Sequence, residues 1–281
     1  MLPTTDFFGT PITRLILGDN PINGHSYIPD ITPGGEMMDY YTAQRCVDML
    51  FDAQAAGINT FVPLGCDFDL RVLRQFRNMG GKMNLIYQPY PAIPLEINMG
   101  MMMETKPLAI YHQGTTTDYL TESGKVQELK DNLKRIRDAG VPVGLGTHVP
   151  ETILRAEEED WGVDFYMACL YNARRQQRGQ QSGFITGKSK QLAFFPEDKY
   201  EMFKVIQAVP KPFLVFKLLA GGQVFYNQDP KDYPAIVERE LRDAYAHMKP
   251  SDVGVIGVFQ RDKNQIAENA EIVARILSEH K

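Results

Sequence analysis

The chain has 281 residues, 43% hydrophobic and 23% charged, long enough to bury most of its surface without a disulfide or metal staple. Its 30 basic and 35 acidic side chains leave a net charge of −5, which excludes the basic excess that nucleic acid or an acidic membrane would demand of a partner. No apolar run approaches the roughly 20 residues of a membrane span, and three scattered cysteines (Cys46, Cys66, Cys169) without a secretory signal point to reduced thiols in the cytoplasm.

Predicted strands fall at 15–18, 60–64, 84–87, 108–111, 141–146, 165–171, 212–217 and 253–259. They are apolar and mostly unalternating, as expected of parallel strands buried on both faces. Amphipathic helices separate them. Cys46, Leu50 and Ala53 share the stripe of the first, which puts Cys46 in the core. Met101, Met102 and Met103, after Tyr90, read as core filling. Val126, Leu129, Leu133 and Ile136 form a stripe, as do Tyr233, Val237, Leu241, Ala244 and Met248, and then Ile266, Ala270, Val273 and Leu277. Gly57, Gly80 and Gly140 each stand just past a predicted helix, where a left-handed cap belongs.

Eight alternations of strand and helix predict an α/β fold, a (β/α)8 barrel occupying 1–281 as one domain, in preference to an open doubly wound sheet. Two connections, 20–39 and 173–196, exceed what a minimal barrel needs and enlarge its C-terminal face. The second carries Arg174, Arg175, Arg178, Lys188 and Lys190 with Gly179, Gly183 and Gly187. It reads as a mobile flap whose charge is either solvated or turned to an anionic or polar ligand.

Such a barrel gathers residues from its strand C-termini. The set is Asp19, Asn20, Asn23 and His25, then Cys66 and Asp67, then Gln88 and Tyr90. Later strands add His112 and Gln113, Thr147 and His148, Tyr171 and Asn172, Lys217, and Gln260 with Arg261. Three of the five histidines fall there, while His247 and His280 lie on predicted helices. His112 is the expected general acid/base or orienting group, with Asp19 or Asp67 as its carboxylate. His148 and Lys217 are expected as electrostatic contacts or second acid/base groups. Asn20, Asn23, His25, Gln88, Tyr90, Gln113 and Asn172 would bind the hydroxyls of a small substrate. His112 and His148 with Asp19 or His25 could instead ligate a divalent metal, although no tight metal motif is present. Lys217 either forms a Schiff base or pairs with Asp19 or Asp67. Cys66 is a nucleophile or a small filler, and Gly221–Gly222 a ligand contact or a turn.

The chain also resembles the aldo-keto reductases. Residues 10–20, TPITRLILGDN, are similar to that family's opening strand, and Gly57-Ile58-Asn59-Thr60-Phe61 resembles its GINFFDTA segment. Ala139-Gly140, Gly144, Gly146 and Tyr171-Asn172 follow the LKxxGKIRxIGVSN…YN pattern, and Leu219-Ala220 with Gly222 resembles PLAxG. Ile256-Gly257, Arg261, Gln265, Glu268 and Asn269 look like PGARNPEQLEEN. The resemblance implies a barrel of that type, His112 as the retained catalytic histidine, and an NADP site at Thr147, Phe216, Arg261, Glu268 and Asn269. The departures are as informative. Val62 stands at the family's Asp position, a residue near Asp67 at its Tyr, Gln88 at its Lys, Thr147-His148 at its Ser-Asn pair and Ala168 at its Gln.

Three readings therefore stand. The first is an aldo-keto-reductase-like enzyme acting on a small hydroxylated or carbonyl compound, sugar-like ones included, with a non-standard catalytic set around His112. The second is a lyase, isomerase or hydrolase that uses acid/base groups or a metal and no nicotinamide. The third is a non-catalytic ligand-binding barrel, which the many ionisable residues at the rim disfavour because unpaired buried charge is costly to retain. The sequence leaves substrate identity and oligomeric state open.

Overall fold

The computed structural model describes residues 1–176, 178–182, 185 and 192–279. The chain opens with an antiparallel hairpin that the sequence reading did not anticipate, β1 (Thr4–Phe7) and β2 (Thr10–Thr13). Its two-residue turn has φ of 51° at Phe8 and 83° at Gly9, the positive pair that a tight hairpin of matching twist requires. Phenylalanine gives no turn signal at the first of these positions, which is why the hairpin was illegible.

The eight expected strands are present. They are β3 (Leu15–Gly18), β4 (Thr60–Val62), β5 (Asn84–Tyr87), β6 (Ala109–His112), β7 (Val143–Thr147), β8 (Phe165–Cys169), β9 (Phe213–Phe216) and β10 (Val253–Ile256). They close into a parallel barrel in the order β10-β3-β4-β5-β6-β7-β8-β9. Every residue of β4, β6, β7, β8 and β10 is buried, because one face meets the barrel interior and the other the surrounding helices. That double burial produced the unalternating apolar runs. Two boundaries matter for chemistry. His112 is the last residue of β6, and Lys217, expected inside the seventh barrel strand, lies just beyond β9.

The helices are α1 (Gly34–Tyr40), α2 (Ala43–Ala55), α3 (Asp67–Asn78), α4 (Leu95–Met103), α5 (Gly114–Glu122), α6 (Val126–Asp138), α7 (Pro150–Glu158), α8 (Asp198–Ala208), α9 (Tyr233–His247) and α10 (Gln265–Glu279). None among the described residues is long and apolar enough to cross a membrane.

By their contacts the residues fall into two compact units, one of Met1–Val62, Asp67–Asn84 and Lys217–Lys281, the other of Pro63–Cys66 and Leu85–Phe216. In the first, β3 pairs with β10 and β4, matching Ile16 to Val255 and Leu17 to Phe61. Helix α2 packs on α3 and α10, burying Cys46, Leu50 and Ala53, and left-handed glycines follow α2 and α3 at Gly57 (φ 85°) and Gly80 (φ 91°). In the second, β6 to β9 run side by side, with Tyr111 opposite Gly144 and Cys169 opposite Phe216. Of the three methionines expected to fill core, Met102 of α4 is buried and Met101 and Met103 are half-buried, while Met99, not expected, is buried as well; Leu129, Leu133 and Ile136 of α6 form its buried stripe. Cys46, Cys66 and Cys169 are buried and form no disulfide.

Candidate active site

In the second unit the ends of β6 and β7 are brought together by two glycines. A Cβ on Gly146 would stand 2.8 Å from the His112 carbonyl oxygen and 2.9 Å from the Gly114 nitrogen. Helix α5 can therefore start directly against β7. Gln113 caps it, its side-chain oxygen accepting from the Thr116 amide at 2.8 Å. The Gln113 side-chain oxygen thus has a structural partner.

Asp118 lies one turn into α5 and is wholly buried. Its carboxylate accepts from the Thr147 hydroxyl at 2.5 Å, from His148 Nδ1 at 2.7 Å and, at 3.3 and 3.4 Å, from the His148 amide. A carboxylate only accepts, so Nδ1 carries the proton and Nε2 is the basic nitrogen of the neutral ring. The His148 side chain is 10% exposed against none for Asp118, so the imidazole is the member of the pair that solvent reaches. Phe216, at the end of β9 two strands over, stands edge-on to the imidazole at 5.5 Å and 76°.

His112 has a different setting. Its Nδ1 lies 2.8 Å from the Thr117 hydroxyl and its Nε2 3.4 Å from the Asn132 amide. Burial pulls its pKa down to about 4, with Asp118 opposing. The ring is neutral at pH 7 and both nitrogens are engaged by α5 and α6. The carboxylate-backed histidine is thus His148, and its carboxylate is Asp118. Sequence reasoning missed Asp118 because an acid inside a helix reads as a solvated residue.

Other residues of this unit secure backbone. Gln88 is buried, and its carbonyl accepts from the Gly65 amide at 2.8 Å. The Tyr90 amide donates to Asn98 Oδ1 at 2.7 Å, while Asn98 Nδ2 donates to the Gly65 carbonyl at 2.5 Å. Asn98 is a fully buried tie on α4 that the sequence reading did not select. Asn172 Oδ1 accepts from the Arg174 amide at 3.2 Å, closing a turn. Arg174 makes a two-pronged pair with Glu122 at 2.9 and 2.6 Å, and Arg175 pairs with Asp198 and Glu201 at 2.9 and 3.0 Å. Both arginines are paired with acids of their own unit, Arg174 buried and Arg175 exposed. Lys188, Lys190, Gly183 and Gly187 lie outside the described residues.

The first unit carries a separate polar cluster. Asp19 is buried just past β3, and Asn23 Nδ2 donates to its Oδ2 at 3.2 Å. The His25 amide donates to the Asn20 carbonyl at 3.0 Å, which turns the chain back. Lys217 has φ 61°, and its Nζ stands 4.2 Å from the centre of the Tyr27 ring. Burial, and then the positive charge of Lys217, lower the His25 pKa to about 4. Asp67 opens α3 and is exposed, placed where its charge complements the helix dipole.

Among the described residues no three His, Cys, Asp or Glu side chains form a group fit to hold a metal ion. Three of the residues matched to NADP have side-chain partners within their own units. Arg261 is held by Glu36 at 2.5 Å and Asp262 at 2.9 Å, Glu268 by Lys263 at 2.5 Å, and the Thr147 hydroxyl by Asp118. Asn269 is buried on α10.

No protein-family model and no curated protein matches the chain. Among solved structures it is similar to a truncated 3-deoxy-D-arabino-heptulosonate 7-phosphate synthase from Thermotoga maritima, at 12% identity and TM-score 0.54 over 99% of this chain and 91% of that one. It is similar to an aldo/keto reductase from Brucella melitensis at 12% identity and TM-score 0.53, covering 97% and 93%. A dihydropteroate synthase from Xanthomonas albilineans matches at 14% identity and TM-score 0.53, covering 99% and 98%. At such identity the likeness is one of fold, the TIM barrel. A reductase standing beside two synthases supports the barrel that the sequence resemblance implied and does not single out its family.

Proposed function

We propose that this chain is a proton-transfer enzyme acting on a small hydroxylated or carbonyl compound, with His148 as general base and acid and Asp118 as its partner. The observation that carries this reading is the 2.7 Å contact from His148 Nδ1 to a wholly buried carboxylate at the C-terminal end of a barrel strand. Nε2 takes a proton from a substrate hydroxyl or from a carbon beside a carbonyl. Asp118 holds the ring in that tautomer and stabilises the imidazolium that results, and the same nitrogen returns the proton to the product. Thr147 fixes the far carboxylate oxygen, so Asp118 cannot rotate away. Isomerisation and elimination both follow from this chemistry and need no redox cofactor.

The test is wash-in of solvent deuterium to glyceraldehyde and dihydroxyacetone, followed by NMR. Wild-type protein should exchange their carbon-bound protons. Asp118→Asn offers a donor to Nδ1 and enforces the wrong tautomer, so it should slow exchange by about 10²–10⁴-fold, and His148→Gln should do the same. Exchange unchanged in both variants would remove the dyad from the chemistry. A nicotinamide-dependent, aldo-keto-reductase-like version is the second reading, and the Phe216 ring beside His148 favours it as a surface on which a flat ring could stack. It requires Arg261 and Glu268 to exchange their present partners, and micromolar binding in an NADPH titration would support it.

A further inference from the structure

The cluster on the first unit is not used by the dyad. Four of the six residues 217–222 have positive φ: Lys217 at 61°, Ala220 at 49°, Gly221 at 59° and Gly222 at 94°. Two of them carry a side chain, and such conformations persist only where the surroundings over-determine them. What the segment is shaped around is Tyr27. A Cβ on Gly221 would come within 2.7 Å of the Tyr27 ring, and one on Gly222 within 2.7 Å of Ile28. Gln223 Nε2 donates to the Tyr27 carbonyl at 3.1 Å. The turn therefore seats an aromatic face, and its first residue sets the lysine nitrogen 4.2 Å from that face.

We infer that Lys217 captures a small aldehyde or ketone as a protonated Schiff base, with the Tyr27 ring stabilising the cation. The ammonium gives a proton to water. The freed amine attacks the carbonyl carbon, a carbon–nitrogen bond forms as the carbonyl π bond opens, and a proton shift from nitrogen to oxygen gives the carbinolamine. The solvent returns a proton to the carbinolamine hydroxyl, which leaves as water, and the lysine nitrogen becomes an iminium. No oxidant or reductant is needed. The iminium holds its positive charge where the ammonium was, so the cation–π contact that seats the resting lysine is kept in the product of capture.

The proposal is tested on the whole chain with glycolaldehyde and dihydroxyacetone as probes, cyanoborohydride to fix any imine, and peptide mapping by mass spectrometry. Lys217 should be modified at least about tenfold faster than the exposed Lys231. Tyr27→Leu should reduce that preference severalfold, and Lys217→Arg should abolish this adduct while leaving the other lysines labelled as before. Labelling of Lys217 no faster than Lys231 with both probes would overturn the assignment. His148→Gln should leave Lys217 labelling intact, so a failure of the dyad and a failure of this site are told apart.

Discussion

A histidine whose Nδ1 meets a hydroxyl and one whose Nδ1 meets a carboxylate carry different chemistry, and His112 and His148 divide along that line. The difference has a thermodynamic consequence. In the unfolded chain His112 protonates near its ordinary 6.5, in the folded chain only near 4. Between those values the unfolded state binds more protons, so stability is complete above about pH 6.5 and declines as the pH falls toward 4. The slope reaches about 1.4 kcal/mol per pH unit for one such group, and His25 adds to it with the same sign. Urea midpoints at pH 7.5 and 5.0 should show the fall. His112→Asn should be less stable at both pH values but lose part of the fall, and an undiminished pH dependence in that variant would refute the assignment. The sequence made both histidines visible, because each stands at the end of an apolar strand. It could not rank them. Ranking depends on Thr117 and Asp118, neighbours in one helix whose side chains reach different strands, and no spacing in the sequence encodes that choice.

Elements were more legible than residues wherever both faces of a strand are buried. In β7 and β8 every position is buried and the apolar run is unmistakable, whereas β1 has exposed positions and a turn opened by Phe8. The connection after β8 was legible as long and basic but not as internally paired, since Glu122 is distant in sequence from Arg174. That carboxylate accepts from Arg174 Nε and Nη2 and, at 2.7 Å, from the Gly179 amide, so one acid of α5 holds both Arg174 and Gly179. Glu122→Gln leaves a guanidinium that is 4% exposed without its counter-charge. Breaking a buried pair in this way costs about 3–5 kcal/mol. Trypsin should then cut after Arg174, Arg175 or Arg178 well before global unfolding, and cleavage there at the wild-type rate would show that the pair does not hold this connection.

A closed sheet has no free edge at which a misfit between neighbours can be relieved, so the barrel wall should be the least tolerant part of the molecule. Gly144 offers the sharpest test. A Cβ there would lie 2.4 Å from the Phe165 ring and 2.5 Å from the Tyr111 Cβ, the side chains standing on the two strands that flank β7. The Tyr111 Cβ cannot retreat without displacing its strand, and the Phe165 ring is fully buried, so it has no open space to swing into. Gly144→Ala should therefore cost about 2 kcal/mol or more and lower the melting temperature by roughly 4 °C or more. Gly140 is the control. It is a left-handed cap with φ 79° and nothing within 4 Å of its missing Cβ, so Gly140→Ala carries only a conformational cost of about 1 kcal/mol. The chain has a single tryptophan, Trp161, buried beside the start of β8, which reports on this region by fluorescence while far-UV circular dichroism reports on all the helices. If the wall unfolds as one cooperative structure, Gly144→Ala lowers both midpoints together. A Trp161 transition that moves while the dichroism midpoint stays in place would mean that the misfit is absorbed locally, and that closure does not distribute it.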